Sequence, residues 1–108
     1  MTTKKIPQVT NEQLRDYELV LVFRPELVDE TLDSTVDNVK RLITTKGGEI
    51  TEVEVWGKRR LAYPINRFSE GVYVMFRSKM RPTVTRELEA NLHISEEILR
   101  HLLVVSGG

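Results

Sequence analysis

The chain offers few parts from which a catalyst could be built. It has no cysteine and only two histidines, His93 and His101, so disulfides, thiolate nucleophiles and cysteine-held zinc are excluded. The two histidines stand eight positions apart, with no carboxylate at a spacing that suggests a metal site or a triad, and no Gly-rich phosphate loop occurs. Asp29, Glu30, Asp33 and Asp37 fall along one side of an expected helix, where early carboxylates offset the helix dipole. No metal and no cofactor is called for. The side chains that stand out are the adjacent cations Lys58, Arg59 and Arg60, set between Trp56 and Tyr63. Guanidinium forks meet phosphates bidentately, and the aromatic neighbours offer stacking surface to bases or to a partner protein. The same cations on a sheet edge would discourage edge-to-edge pairing. On residue chemistry alone both readings stand.

The chain as a whole balances 16 Lys plus Arg against 16 Asp plus Glu. Its halves differ in sign. Residues 1–55 carry 7 basic and 11 acidic side chains, and residues 56–108 carry 9 basic and 5 acidic. Between Gly57 and Arg81 seven cations face a single acid, Glu70, a local excess that could attract phosphate.

These cations need a scaffold, and 108 residues with 40% hydrophobic positions suffice for one domain with a core. The longest apolar runs, Leu19–Phe23 and Leu102–Val105, fall far short of the roughly 20 residues that span a bilayer. With a polar N-terminus and no cysteine, a soluble cytoplasmic protein is expected. Asp16 to Arg24 is nearly continuous in β-prone apolar residues, as in a central strand. After Pro25, apolar residues recur at Val28, Leu32, Val36, Val39 and Ile43, one stripe of a helix, which Gly47 and Gly48 stop. Glu49 to Ile65 alternates up to Gly57, where a bulge is expected, and Pro64 places this strand at an edge. A turn over Asn66–Gly71 leads to a strand at Val72–Met80. Pro82 opens a second helix facing inward through Val84, Leu88 and Leu92, and Ile98–Val105 is a last strand. Strand, helix, strand, strand, helix, strand predicts an α+β, ferredoxin-like split βαβ two-layer sandwich. Its four-stranded antiparallel sheet has the order 4-1-3-2, two helices cover one face, and the other face stays open.

Trp56 to Asn66 reads WGKRRLAYPIN, and this string resembles the signature of the sixth-protein family of the bacterial small ribosomal subunit. The signature is a Gly, a basic or polar triplet, Leu, Ala or Ser, Tyr, any residue, then Ile. The similarity extends from Tyr17-Glu18 through Pro25 and Gly47 or Gly48 to Val104-Val105. It implies a ferredoxin-like, non-enzymatic constituent of the small subunit, placed on the cytoplasmic ribosome. Such proteins bind the central domain of the ribosomal RNA as a heterodimer with the basic eighteenth protein. The resemblance places Lys58, Arg59 and Arg60 in the family's basic signature segment, Arg67 just beyond it and Arg100 at the basic entry to the last strand, and these are the expected RNA-binding residues; Trp56 and Tyr63, from their aromatic surface, are expected to face the partner. Two other proteins of this topology fit less well. An RNP-type single-strand RNA-binding module, the alternative reading, needs a basic-Gly-aromatic-Gly-aromatic run that Gly71–Phe76 lacks. A small acyl-phosphate hydrolase wants a Gly-rich anion loop where the chain has Arg24-Pro25-Glu26.

Residues 1–15 are mostly polar and show no clean period, so they are expected to be a mobile extension to a domain over residues 16–105, with 106–108 a frayed end. Deleting residues 1–14 should therefore change folding stability by less than about 1 kcal/mol in urea denaturation. A larger loss would move the domain boundary.

Overall fold

The computed structural model describes residues 13–106. Its elements are β1 (Arg15–Phe23), α1 (Asp29–Thr45), β2 (Glu49–Ile65), β3 (Phe68–Met80), α2 (Pro82–Ile94) and β4 (Ile98–Val105). The strands form one antiparallel sheet in the order β2-β3-β1-β4. This is the split βαβ sandwich that the element order requires. The expected extension lies outside the described residues except for its last three, of which Arg15 opens β1 opposite Met80. The expected frayed end lies outside them except for Ser106, whose amide donates to the Asp16 carbonyl at 2.8 Å.

The pleat of β1 sorts the sheet into two faces. Tyr17, Leu19, Leu21 and Phe23 point to one side, where Val72, Val74, Phe76 and Met80 of β3 join them in the core. From the helices come Val36, Val39 and Ile43 of α1 and Val84, Leu88 and Leu92 of α2. Val28, expected to open the α1 stripe, is instead 48% exposed, because its extended backbone (φ −140°) ends the loop before the helix begins. At the other end of α1 the Gly48 amide donates to the Ile43 carbonyl at 3.0 Å, satisfying a terminal helix carbonyl. Lys46, next to that stop, ties the two helices together through its 3.0 Å contact with Glu87 of α2.

Among the described residues the opposite face carries no helix, yet Val22, Met75 and Leu61 are buried there outside the main core. β2 makes this possible. Arg60 pairs with Glu70 and Ile65 with Phe68, so residues 61–64 have only Ser69 across from them and bow out of the ladder. Pro64, which cannot donate to a ladder, sits in this bulge. Leu61 from the bulge covers Val22 and Gly71: a Cβ built on Gly71 would run into Val22 Cγ1 and stand 3.1 Å from the Phe23 carbonyl and 3.7 Å from Leu61 Cδ2. The hairpin turn is also shorter than expected. Asn66 and Arg67, both left-handed (φ 49° and 72°), make the turn alone, as in a two-residue hairpin, and β3 starts at Phe68 rather than Val72.

The two sheet edges differ. β2 has Lys58 and Arg60 exposed along it, Pro64, and register shifts at three places, all of which oppose pairing with another strand. β4 ends in the uncharged run Leu102–Val105, with Leu102, Val104 and Val105 exposed and no shift among them. Among the described residues no strand pairs with its outer edge.

Gly71→Ala drives a methyl group into the β-branched Val22 side chain, so it should cost about 1–3 kcal/mol, the range for overpacking. In a double-mutant cycle Val22→Ala should recover part of that loss. Additive losses would show that the two residues do not share the space.

Candidate nucleic-acid interface

The signature segment contributes its cations to two surfaces. Trp56 and Gly57 mark a register shift against Val74 and Tyr73, and Gly57 takes a left-handed φ of 91°, which suits a residue without Cβ at a bulge. Beyond it Lys58 pairs with Val72 and Arg60 with Glu70, whereas Arg59 pairs with Gly71. Alternation therefore places Lys58 and Arg60 on the helix side of the sheet and Arg59 on the open side. All three are exposed.

Arg59 is held by aromatic rings. Its guanidinium carbon stands 5.3 Å from the Trp56 ring centroid and 5.9 Å from that of Tyr73, within cation–π range of both. The Trp56 indole is fixed in turn by donating to Glu54 Oε1 at 2.9 Å. Tyr73 escaped the sequence reading, because a register set by the Gly57 bulge decides which β3 residue lies beneath Arg59. Arg100 lies opposite Val22 and lines a cavity of about 100 Å³ with Leu61, Tyr63, Ile65 and Tyr73. Tyr63 is 66% exposed at its rim.

Arg67 lies apart, on the turn, beside a recess lined by Arg24, Asn66, Phe68, Glu96 and Leu99. Arg24 stacks on Phe68 (5.2 Å) and pairs with Glu26 (2.9 Å). The structure thus gathers Trp56, Arg59, Tyr63 and Arg100 at one end of the open face, and puts Lys58, Arg60 and Arg67 elsewhere on the hairpin.

The excess of cations between Gly57 and Arg81 does not form one patch. Arg77 is shared by Glu18 (3.3 Å) and Glu52 (3.5 Å), and Lys79 lies between Glu49 and Asp16 in the register. These acids come from other strands, so a count along the chain could not reveal them. The distal hairpin carries four of the seven cations, Lys58, Arg59, Arg60 and Arg67. There, Lys58, Arg60 and Arg67 form no ion pair with any described residue. His101 Nε2 lies 3.5 Å from a carboxylate oxygen of Glu89 of α2, and among the described residues no cluster of His, Cys, Asp and Glu could hold a metal.

A two-layer sandwich with, among the described residues, a helix-free sheet face and a cationic hairpin belongs to the class of small α+β domains that present a sheet and a loop to other macromolecules. Comparison with known proteins sharpens this. The family model described as Ribosomal protein S6 matches residues 16–105, and the chain belongs to that family, whose members are proteins of the small ribosomal subunit in the bacterial cytoplasm. The small ribosomal subunit protein bS6 of Clostridioides difficile is 41% identical over 93 residues, spanning 86% of this chain and all of that protein. That of Moorella thermoacetica is 42% identical over 90 residues, spanning 83% and 92%. The crystal structure of 30S ribosomal protein S6 from Thermotoga maritima superposes with a TM-score of 0.80 at 30% identity, covering 86% of this chain and 88% of that one.

Two carboxylates near the stacked arginine titrate unequally. The hydrogen bond from the Trp56 indole, then that with Glu52, holds Glu54 below the ordinary carboxylate range, whereas the bond and repulsion from Glu54 push Glu52 up. Trp56 is the single tryptophan. Its fluorescence should therefore titrate with a midpoint below the roughly 4.3 of a free glutamate, and Glu54→Gln, which keeps an acceptor but no charge, should abolish the step. A midpoint above that value would show that the indole bond does not form.

Proposed function

We propose that the chain is a structural, non-catalytic constituent of the small subunit that binds the central domain of its ribosomal RNA together with the eighteenth small-subunit protein, as a heterodimer. The observation that carries the RNA part is the distal hairpin, where Lys58, Arg60 and Arg67 are exposed and unpaired among the described residues. Strand-borne cations of this kind approach phosphates without a groove-reading helix, and such contacts position a protein rather than read sequence. Arg59 and Arg100 would supplement them from the open side, where Trp56 and Tyr63 offer surface to the partner. The open face of β1 and β3 argues against the RNP-type alternative. That mode needs aromatic rings on the central strands, and here those strands present Val20, Val22 and Met75 with Tyr73 as the one aromatic side chain.

The charge balance explains why a partner is needed. Affinity for RNA grows with the number of phosphates neutralised, and a chain of zero net charge brings as many acids to repel the backbone as cations to hold it. The isolated protein should therefore bind the central-domain RNA weakly at physiological salt, and the basic eighteenth protein should raise its affinity at least about a hundredfold by supplying the missing contacts. A filter-binding titration with and without the eighteenth protein measures this. Equal affinity in the two titrations would overturn the reading.

A further inference from the structure

β4 lacks, from Leu102 to Val105, every feature that keeps β2 from pairing outward, and Leu102, Val104 and Val105 are 58%, 42% and 50% exposed along it. Its sequence is also complementary to itself. Residues directly opposite each other in an antiparallel pair project to the same face of the sheet, so the twofold axis relating two identical edges has to pass through a residue rather than between two. With that axis at Leu103, Leu102 of each copy lies across from Val104 of the other, and Leu103 lies across from itself. His101 then faces Val105, and Arg100 faces Ser106. No like charges stand opposite one another, and the two apolar runs overlap.

The two ends of the same edge carry opposite charges. At one end Arg100 lies across from Val22. At the other, the Ser106 amide donates to the Asp16 carbonyl at 2.8 Å, which continues the pairing of β4 with β1 and sets Asp16 beside Ser106. Alternation from Tyr17 and His101 puts Asp16 and Arg100 on the same, helix-free side. Both are exposed, and neither forms an ion pair with a described residue. Within one chain these charges sit at opposite ends of the edge. Antiparallel pairing of two edges places Arg100 of one copy across from Ser106 of the other, with Asp16 one strand further on, about 10 Å away between Cα atoms. An arginine turned outward from the cavity it lines spans that gap over the small serine, and symmetry makes the contact twice.

We infer that two copies of the chain associate through β4, antiparallel about Leu103, and join their sheets into one. Leu102 and Val104 of each copy cover Val104 and Leu102 of the other, and Arg100 of each meets Asp16 of the other. Neither RNA nor the eighteenth protein takes part in this contact. A contact between single strands lies at the small end of interface sizes, so pairs and single chains exchange.

Sedimentation velocity of the full chain without RNA tests for the pair. The sedimentation coefficient should rise from that of a monomer to that of a dimer as concentration goes from micromolar to millimolar, and a monomer throughout would overturn the inference. The chain has no cysteine, so single cysteines report the register. Leu103→Cys sets two thiols on Cα atoms about 4.5–5.5 Å apart, within reach of a disulfide, and should yield a covalent dimer under mild oxidation. Leu102→Cys and Val104→Cys, each more than about 7 Å from its own copy, should cross-link only when the two variants are mixed. Leu102→Lys/Val104→Lys opposes like charges across the contact and should weaken association at least about tenfold, with the circular dichroism spectrum as the control for folding. Arg100→Asp should weaken it about fivefold, and Asp16→Arg/Arg100→Asp, which exchanges the charges, should restore it. Association undiminished in Leu102→Lys/Val104→Lys would place the contact away from β4 and overturn the inference. Cross-linking of Leu102→Cys or Val104→Cys alone, or equal weakening by Arg100→Asp and Asp16→Arg/Arg100→Asp, would overturn the pairing about Leu103.

Discussion

Every assignment of a residue to a surface rests on β1 being hydrogen-bonded on both sides in one register. Leu19 lies between Phe76 and Leu103, and Leu21 between Val74 and His101. Since side chains alternate with a period of two, a slip of one residue would turn the whole core set to solvent and bring Glu18, Val20 and Val22 against the helices. The burial of Leu19, Leu21, Phe23, Val74 and Phe76 to zero exposure makes such a slip prohibitive. The core therefore also fixes the reverse side of the sheet, including Glu18, Glu52, Glu54 and the exposed Leu102 and Val104.

On that fixed frame, irregularities of β2 distribute the chemistry. The shift at Thr51, whose hydroxyl donates to the Arg77 carbonyl at 3.1 Å, keeps Ile50 and Val53 toward the helices and Glu52 and Glu54 outward. The shift at Trp56 and Gly57 brings Arg59 over Tyr73. The bulge of residues 61–64 then folds Leu61 across Val22, in the space Gly71 leaves free. A regular ladder of the same composition would have placed these groups on other faces, so each bulge is a positioning device rather than a defect.

Much of this was legible in the residues. β2 and β4 have the bounds their patterns suggested, the stripe Val36, Val39, Ile43 is the buried face of α1, and the ends of β2 were marked by Gly48 and Asn66. Other parts depended on contacts that no local pattern carries. Phe68 to Gly71 reads as turn-like because it is mixed and contains Gly and Ser, yet Asn66 and Arg67 adopt the left-handed backbone by themselves and free those four residues to pair. The basic pole between Gly57 and Arg81 dissolved because Glu18, Glu49 and Asp16 arrive from other strands. The split of Lys58 and Arg60 from Arg59 follows from alternation alone. What lies beneath Arg59 does not, since a bulge resets the count.

The unequal guarding of the sheet's two edges limits how copies of the chain can associate. Among the described residues a strand can be added at β4, where Leu102–Val105 lies at the sheet edge without charge, proline or bulge, but not readily at β2. If two copies meet through β4, each uses its one receptive edge, and both ends of the joined sheet are then guarded β2 strands. The contact is isologous and closes after one step. Open-ended growth needs two receptive edges per subunit, so this architecture terminates as a pair instead of propagating into a fibre.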